Sequence, residues 1–550
     1  MTRTGARVLV DALITHGVDT IFCVPGESYL AALDACYESQ PAIRVIVCRH
    51  ESGAANMAEA YGKLTGRPGV CFVTRGPGAT HASVGVHTAG QDSTPLVLLV
   101  GQVPRDVAGR EAFQEVDYRQ MFGGLATWTA EAGSAERLPE LVGRAFHTAT
   151  SGRPGPVVLA LPEDVLTEAT DVGDARPYPH VEPHPSARQL ARVRETLAAA
   201  RRPLVIVGGG GWTAQAARDL QAFAETHSLP VATTFRRQDY IDNTSPSYAG
   251  HLGIGTDPPL AALVRDSDVI VAIGTRLGDI ATAGYTLLAP PAPDQTLIHA
   301  HPEPSELGRV YQPDVPIVAS GPAMAAGLAE LEAVGSAAWS ARTATAHKDF
   351  LTWQSRGAEA SKGVDMAAVI DHLAETLPAD AIIANGAGNY AAWAQRRYTF
   401  QTYPTQLAPT SGAMGYGVPA AIAAKLLAPT RTVVCLAGDG CFLMTGQELA
   451  TAAQYGLEVV FVVVNNGMYG TIRMHQERHY PARVMATGLE NPDFVAYARA
   501  FGAYGEVVVK TDEFEAAFAR ARAAGRPALL ELRTDPDLIT PDATIQEIRA

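Results

Sequence analysis

The segment Val433–Gln476, VVCLAGDGCFLMTGQELATAAQYGLEVVFVVVNNGMYGTIRMHQ, decides the fold. It predicts a strand over Thr432–Leu436, a glycine turn at Gly438-Asp439-Gly440 and a helix over Thr445–Tyr455. A second strand, Val459–Val464, then ends in Asn465-Asn466. That is one βαβ unit, two parallel strands joined by a crossover helix, with two loops leaving the carboxyl edge of the sheet. Open α/β sheets bind ligands at that edge. The first loop offers the carboxylate of Asp439, and the second offers amide oxygens of Asn465 and Asn466. Gly467 and Gly470 keep the main chain there open. Mg²⁺ takes oxygen ligands and commonly shares its shell with phosphates, and glycines let backbone N–H groups approach a diphosphate. A lone Gly-Asp-Gly after a strand is usually only a turn. Spaced by strand, helix and strand from Asn-Asn, it is far more restrictive.

The pattern resembles the cofactor motif, GDG to NN, of the thiamine diphosphate (ThDP)-dependent decarboxylases and carboligases. The resemblance places the metal ligands on Asp439, Asn466 and the backbone oxygen of Met468. It places cofactor contacts on Gly438, Asp439, Gly440, Cys441, Asn466, Met468, Tyr469 and Gly470.

Composition agrees with a compact globular chain. Of 550 residues, 47% are hydrophobic and 18% charged, enough for about three domains of ordinary size. The formal net charge of −14 argues against a nucleic-acid backbone as partner. A small anion remains compatible, because metal and helix ends act locally. The six cysteines, Cys23, Cys36, Cys48, Cys71, Cys435 and Cys441, form no CxxC pair and lie mostly in apolar runs, which suits free thiols in a cytoplasmic setting. The amino terminus reads as an amphipathic helix and not as a signal peptide, and no apolar run reaches the ~20 residues of a membrane span.

Along the chain, alternating helical and extended patterns predict an α/β fold in three blocks with parallel sheets. The blocks cover residues 1–166, 186–334 and 363–540. Short buried strands are expected at Thr20–Cys23, Val45–Cys48, Gly69–Thr74, Leu96–Val100 and Pro156–Leu161 in the first block. In the second they fall at Leu204–Val207, Val231–Ala232, Val269–Ile273 and Thr296–His299. A proline-rich linker, Thr167–Pro185, separates these two blocks, and a less regular one runs from Gly335 to about Lys362. The last residues, TDPDLITPDATIQEIRA, read as surface chain. The run PLVIVGGGGWTAQAARDL invites a dinucleotide reading, but a GxGxxG match from Gly208 would need glycine where Thr213 stands. A plain tight turn is favoured.

Within the family, the cofactor's N1′ nitrogen must be protonated by a carboxyl group, and burial raises such a group's pKa towards its working range. In IRVIVCRHESGAANMAEAYGKLTG, Glu51 stands between an apolar strand and a small-residue helix, where the family carries its catalytic glutamate. By itself the same glutamate would serve a helix N-terminus. The stretches TRGPGATHA, DSTPLVLLVGQVP and AFQEVD resemble the acetolactate synthase branch. So does SGAMGYG, which contains Gly412 and puts Met414 where that branch props the cofactor into a bent V. Gly388, Asn389 and Tyr390 match the family's other diphosphate loop. The resemblance covers essentially the whole chain as pyrimidine-binding, middle and diphosphate-binding domains. It implies a homodimer with active sites at the interface, or a tetramer of the same kind.

Three departures bear on the substrate. Glu27 of VPGESYL stands where acetolactate synthases usually have glycine and simple decarboxylases have aspartate. It is either a proton-handling carboxyl or a helix-start residue, and Gln114 of FQE replaces the decarboxylases' paired histidines. His475 stands where a tryptophan selects the second keto acid; it is either a pocket residue or a solvated loop histidine. RLGDIATAG (Arg276–Gly284) keeps Arg276 and Asp279 of the stretch found in FAD-containing members and little else, so FAD is compatible with the chain but unsupported. The expected activity is ThDP- and Mg²⁺-dependent decarboxylation of a pyruvate-like 2-keto acid with carboligation to an acceptor carbonyl. The alternatives are a non-ligating decarboxylase, another ThDP lyase or oxidase, and a cofactor-binding protein without turnover.

Overall fold

A computed structural model describes residues 2–334 and 339–550. Three six-stranded sheets, each wholly parallel, account for the three blocks. The first runs, edge to edge, Arg44–Val47, Thr20–Cys23, Gly69–Val73, Leu96–Gln102, Pro156–Pro162 and Trp128–Glu131. The third runs Gln406–Leu407, Ile382–Asn385, Val433–Gly438, Val460–Asn465, Ala528–Arg533 and Tyr504–Val508. Numbered within each block, both have the order 2-1-3-4-6-5. The first and third blocks therefore share one topology.

The middle sheet differs. Its strands, Tyr248–Leu252, Val231–Thr234, Pro203–Val207, Val269–Ile273, Thr296–His301 and Val315–Val318, follow the order 3-2-1-4-5-6. That order places a crevice between Pro203–Val207 and Val269–Ile273, where dinucleotide folds bind their ligand. Here the crevice is packed shut. A Cβ on Gly209 would lie 2.0 Å from the Gly274 carbonyl oxygen, and the buried Trp212 indole donates to the Gly208 carbonyl at 2.9 Å. Thr213 instead caps the following helix, Ala214–Thr226, its hydroxyl accepting the Ala216 N–H. The glycine run is a tight turn.

Central strands such as Leu96–Gln102, Pro156–Pro162 and Val269–Ile273 are buried at every residue. Helices cover both faces of a parallel sheet, so these strands need apolar residues on both sides. By internal packing the chain forms two compact units. One comprises Met1–Val181 with Val418–Pro429 and Thr445–Leu457. The other comprises Glu182–Gly417, Thr430–Met444 and Glu458–Ala550.

Four sequence expectations are revised. The Gly-Asp-Gly turn is itself the start of a short helix, Asp439–Phe442, with Gly438 as its cap. The crossover expected as one helix over Thr445–Tyr455 is a 3₁₀ turn, Gly446–Glu448, followed by the helix Leu449–Gln454. The linker assigned to 335–362 contains the helix Ser340–Ser355, anchored by buried Thr343, Ala346 and Phe350; residues 335–338 lie outside the described residues. The tail is not loose surface chain either. Leu538, Ile539 and Ile545 are buried, and Ile545–Arg549 is a helix opened by a Thr544/Glu547 capping box. A two-residue antiparallel pair, Arg3–Thr4 with Ala169–Thr170, also ties the first linker back to the amino terminus.

Candidate functional site

In the second unit, two loops leave adjacent parallel strands, Val433–Gly438 and Val460–Asn465, at their carboxyl ends. Asp439 is buried at the first. Its Oδ1 accepts the Gly440 N–H at 2.8 Å, and its Oδ2 accepts the Gly467 N–H at 2.9 Å and the Asn491 amide at 2.8 Å. Burial pushes the carboxyl pKa up even against these donors, the direction that a bound cation would oppose. Asn466 Oδ1 accepts the Met468 N–H at 3.3 Å. Met468 faces Gly488 in an isolated antiparallel bridge, fixed on either side by Tyr469 N–H to Thr487 O and Leu489 N–H to Gly467 O.

The residues present fit a hard divalent cation. Asp439, the Asn466 amide and the Met468 carbonyl supply oxygen only, and Asn491 Oδ1 is buried beside them without a hydrogen-bond partner. The glycines are sterically required: a Cβ on Gly438 would lie 2.9 Å from the Tyr390 ring, and one on Gly440 2.5 Å from the Tyr469 ring. Gly470 opens the helix Gly470–His479 directly after this loop.

The remaining loops of this unit converge on Cys441. The Tyr390 hydroxyl donates to its Sγ at 3.4 Å and accepts the Gly386 N–H at 3.0 Å. The Gly415 N–H reaches the same sulfur at 3.2 Å. Gly412 and Gly415 have left-handed φ values of 70° and 79°, and the turn they make leaves Met414 half-buried against the third-block core. The stem of that loop is held from the middle block, where the buried Asp239 carboxylate accepts the Thr405 and Gln406 N–H groups at 2.8 and 3.0 Å. Gly388, at φ 149°, precedes Asn389, whose amide is engaged by the Thr471 hydroxyl at 2.8 Å and the Ile539 carbonyl at 2.8 Å. His475 is exposed on the helix Gly470–His479, its ring 6.3 Å from that of His479. Arg276 is half-buried and Asp279 exposed after the Val269–Ile273 strand.

In the first unit, Glu51 opens the helix Glu51–Thr65 and its side chain is only 12% exposed. Its Oε2 lies 2.9 Å from His81 Nδ1, and its Oε1 lies 3.4 Å from where a Cβ on Gly78 would stand. His50 caps the helix, its Nδ1 accepting the Ser52 N–H. Behind this turn sits Glu448, fully buried, which accepts main-chain N–H groups from Arg49 and His50 and the Thr451 hydroxyl.

Gln114 adopts a left-handed φ of 64° and packs its backbone on Gly76, where a Cβ would meet the Gln114 oxygen at 2.8 Å. A non-glycine residue held at positive φ stores strain that the surroundings must enforce. Part of that enforcement is visible: Arg75 donates to the Phe113 carbonyl at 3.1 Å while pairing with Glu163. Glu27 is 67% exposed and stands 3.6 Å from Arg75.

The sequence does not mark four contributors, Asn491, Glu448, His81 and Arg75. Glu448 lies in the crossover segment, where it resembles any helix glutamate, and Asn491 carries no local pattern. His81 and Arg75 lie in TRGPGATHA, a family-like stretch that does not single them out.

Models of the thiamine pyrophosphate (TPP) enzyme family match three parts of the chain. They are the N-terminal TPP binding domain over residues 3–121, the central domain over 190–328 and the C-terminal TPP binding domain over 386–532. Among curated proteins, the chain is 34% identical over 544 residues to the acetolactate synthase large subunit of Parasynechococcus marenigrum, covering 96% of this chain and 87% of that protein. It is 34% identical over 553 residues to the large subunit from Corynebacterium glutamicum, covering 97% and 87%. It is 32% identical over 559 residues to the acetolactate synthase isozyme 2 large subunit of Escherichia coli, covering 99% of each.

Proposed function

The chain belongs to the thiamine pyrophosphate enzyme family, in the branch of the acetolactate synthase large subunits, and on that premise we propose that it joins a pyruvate-like 2-keto acid, with loss of CO₂, to an acceptor carbonyl. The cofactor, when bound, supplies the nucleophilic carbon and the electron sink for decarboxylation. Everything else falls to the protein. Asp439, Asn466 and the Met468 carbonyl would hold Mg²⁺ against the diphosphate. Gly438, Gly440, Cys441, Tyr469 and Gly470 would line the same grip, with Gly388, Asn389 and Tyr390 on the neighbouring loop. Met414, on the turn that Gly412 makes, would support the bound cofactor. Glu51 would hold a proton at the pyrimidine N1′, and Gln114, Glu27 and His475 would face the substrate.

One observation carries this reading. The oxygen-donor loops at Asp439 and Asn466 and the nearly buried Glu51 carboxylate, the two chemical requirements of this cofactor, are both formed in one chain. The reading includes a homodimer, or a tetramer built from it, with Glu51 and Asp439 of each site from different protomers. It also takes residues 1–166, 186–334 and 363–540 as pyrimidine-binding, middle and diphosphate-binding domains. Six buried free cysteines support a cytoplasmic setting. Among the described residues no helix is long and apolar enough to cross a membrane.

Incubation with ThDP, Mg²⁺ and pyruvate, followed by separation of acetolactate from acetaldehyde, tests the proposal. Acetolactate as main product is expected. Acetaldehyde alone would favour the second reading, non-ligating decarboxylation, for which the exposed Glu27 carboxylate is the relevant feature. Neither product, from pyruvate or from a panel of other 2-keto acids, would overturn both.

A further inference from the structure

The Glu51 carboxylate is not held by its own helix. It is held across the loop by His81, on the facing helix Pro77–Asp92. The contact is 2.9 Å from His81 Nδ1 to Glu51 Oε2, which leaves Oε1 as the second oxygen. That oxygen sits over Gly78, one turn before His81 on the same helix, and a Cβ there would stand 3.4 Å from it. The bare glycine thus leaves open the side of the carboxylate that His81 does not occupy. The His81 ring in turn rests against the His50 ring, with centroids 4.5 Å apart. His50 is itself fixed, because its Nδ1 accepts the Ser52 N–H.

His50, Glu51 and His81 bring their donor atoms within 4.8 Å of one another, as a metal site would. The Ser52 bond tells against a metal. With Nδ1 of His50 acting as acceptor, a neutral ring carries its proton on Nε2, the nitrogen a metal would need. In the cluster, His50 packs on His81 and His81 is hydrogen-bonded to Glu51.

We propose that His81 is a positioning residue for the reaction: its Nδ1–H holds Glu51 by Oε2 and so presents Oε1, unencumbered over Gly78, to the pyrimidine N1′ of the cofactor. The proposal rests on the functional reading above. A carboxyl that must share a proton with a ring nitrogen works only at hydrogen-bond distance and in line with it. A glutamate has three rotatable bonds, and packing alone does not select one carboxylate orientation. A donor on the facing helix does. The His81 side chain is half-exposed. The titratable groups facing the pair are His50 beside the ring, Glu448 behind the backbone of Arg49 and His50, and the buried Tyr29 and Cys71 on the Glu51 side.

Two measurements test it, one without cofactor. In ¹⁵N-histidine-labelled apoprotein, the His81 Nδ1 resonance should move when Glu51 is replaced by Ala, more than that of His50; an unmoved resonance would show that the pair is not formed. In protein loaded with ThDP and Mg²⁺, H81A should slow deuterium exchange at the thiazolium C2 about tenfold. H81N retains a donor near the same place and should recover to within about threefold of wild type, with ThDP affinity changed less than about threefold in both variants. Exchange at the wild-type rate in H81A, or H81N as slow as H81A, would overturn the role. If wild-type protein takes up no ThDP, the functional reading fails while the apoprotein resonance still decides whether His81 holds Glu51.

Discussion

The carboxylate of Glu448 accepts the main-chain N–H of His50 at 2.9 Å across 398 residues of sequence. The neighbouring Arg49 N–H reaches the same oxygen at 3.0 Å, and the Thr451 hydroxyl binds the other at 2.6 Å. A buried acceptor thus fixes the turn from which Glu51 projects. Glu448→Ala would leave two main-chain donors unsatisfied and should lower the apparent melting temperature by about 5 °C or more. Burial raises the Glu448 pKa, so the native state binds this proton more tightly than the unfolded chain. Its contribution is fullest below the unfolded carboxyl pKa and declines as pH rises through the folded value. Glu448→Gln, which keeps an acceptor without charge, should flatten that decline in thermal melts taken at rising pH above the unfolded carboxyl pKa, roughly 4.3. An unchanged slope would mean that the carboxylate titrates as it does in the unfolded chain.

Asp439→Asn should weaken Mg²⁺-dependent uptake of ThDP by at least about tenfold in calorimetry, because the only carboxylate in the donor set is lost. Asn491→Ala acts at one remove, releasing Asp439 Oδ2 and Asn465 Oδ1, both of which it bonds. A loss of about tenfold is expected there too, with Mg²⁺ affinity falling more than that for ThDP measured at saturating metal.

Glu51→Gln keeps size and hydrogen-bonding capacity and removes the ionisable proton. Deuterium exchange at the cofactor C2 should slow by roughly 10² to 10⁴. The melting temperature and ThDP affinity should stay close to wild type. Wild-type exchange in this variant would remove Glu51 from the chemistry.

At the carboxyl terminus, Arg549 donates to the buried Glu477 at 2.9 and 3.0 Å, beside the Ala482 N–H and Arg473. The Arg549 bonds, then the Ala482 N–H, hold the Glu477 pKa down to about 2. A depressed carboxyl stabilises the fold above its unfolded pKa, roughly 4.3, and loses that contribution as pH falls towards 2. Hydrogen-exchange protection across residues 545–549, taken relative to the intrinsic rate at each pH, should therefore fall on acidification below about pH 4. Arg549→Ala should show the same low protection already at pH 7.

The cofactor grip was legible because its chemistry is local. Gly438-Asp439-Gly440 and Asn465-Asn466 are joined by one crossover, and their spacing alone sets two loops at one sheet edge. The central strands were legible for a similar reason, since both faces are covered and each reads as a short apolar run; edge strands such as Trp128–Glu131 and Val315–Val318, covered on fewer sides, were not. Asn491 and Glu448 were not. Each finds its partners through tertiary packing, and neither has neighbours in sequence that mark it. The tail misled for a physical reason too: its prolines and acids look solvated, but Leu538, Ile539 and Ile545 turn inward while Arg549 reaches a buried carboxylate. The glycines after Val207 read as a tight turn already in the sequence, because Thr213 breaks the GxGxxG match, and the Gly274 carbonyl and the Trp212 indole fill the space where a phosphate would lie.

The membership of Val418–Pro429 and Thr445–Leu457 in the same packed body as Met1–Val181 restricts how this polypeptide can be dissected. Excision at the proline-rich joint near residue 181 would give a fragment that ends cleanly on paper yet lacks its Glu448 acceptor and Tyr455, whose hydroxyl accepts the Val47 N–H at 2.9 Å. Such a fragment would carry a ragged, partly unsatisfied surface just where Glu51 projects. A minimal amino-terminal piece would need those two distant segments grafted back, or supplied as a separate chain.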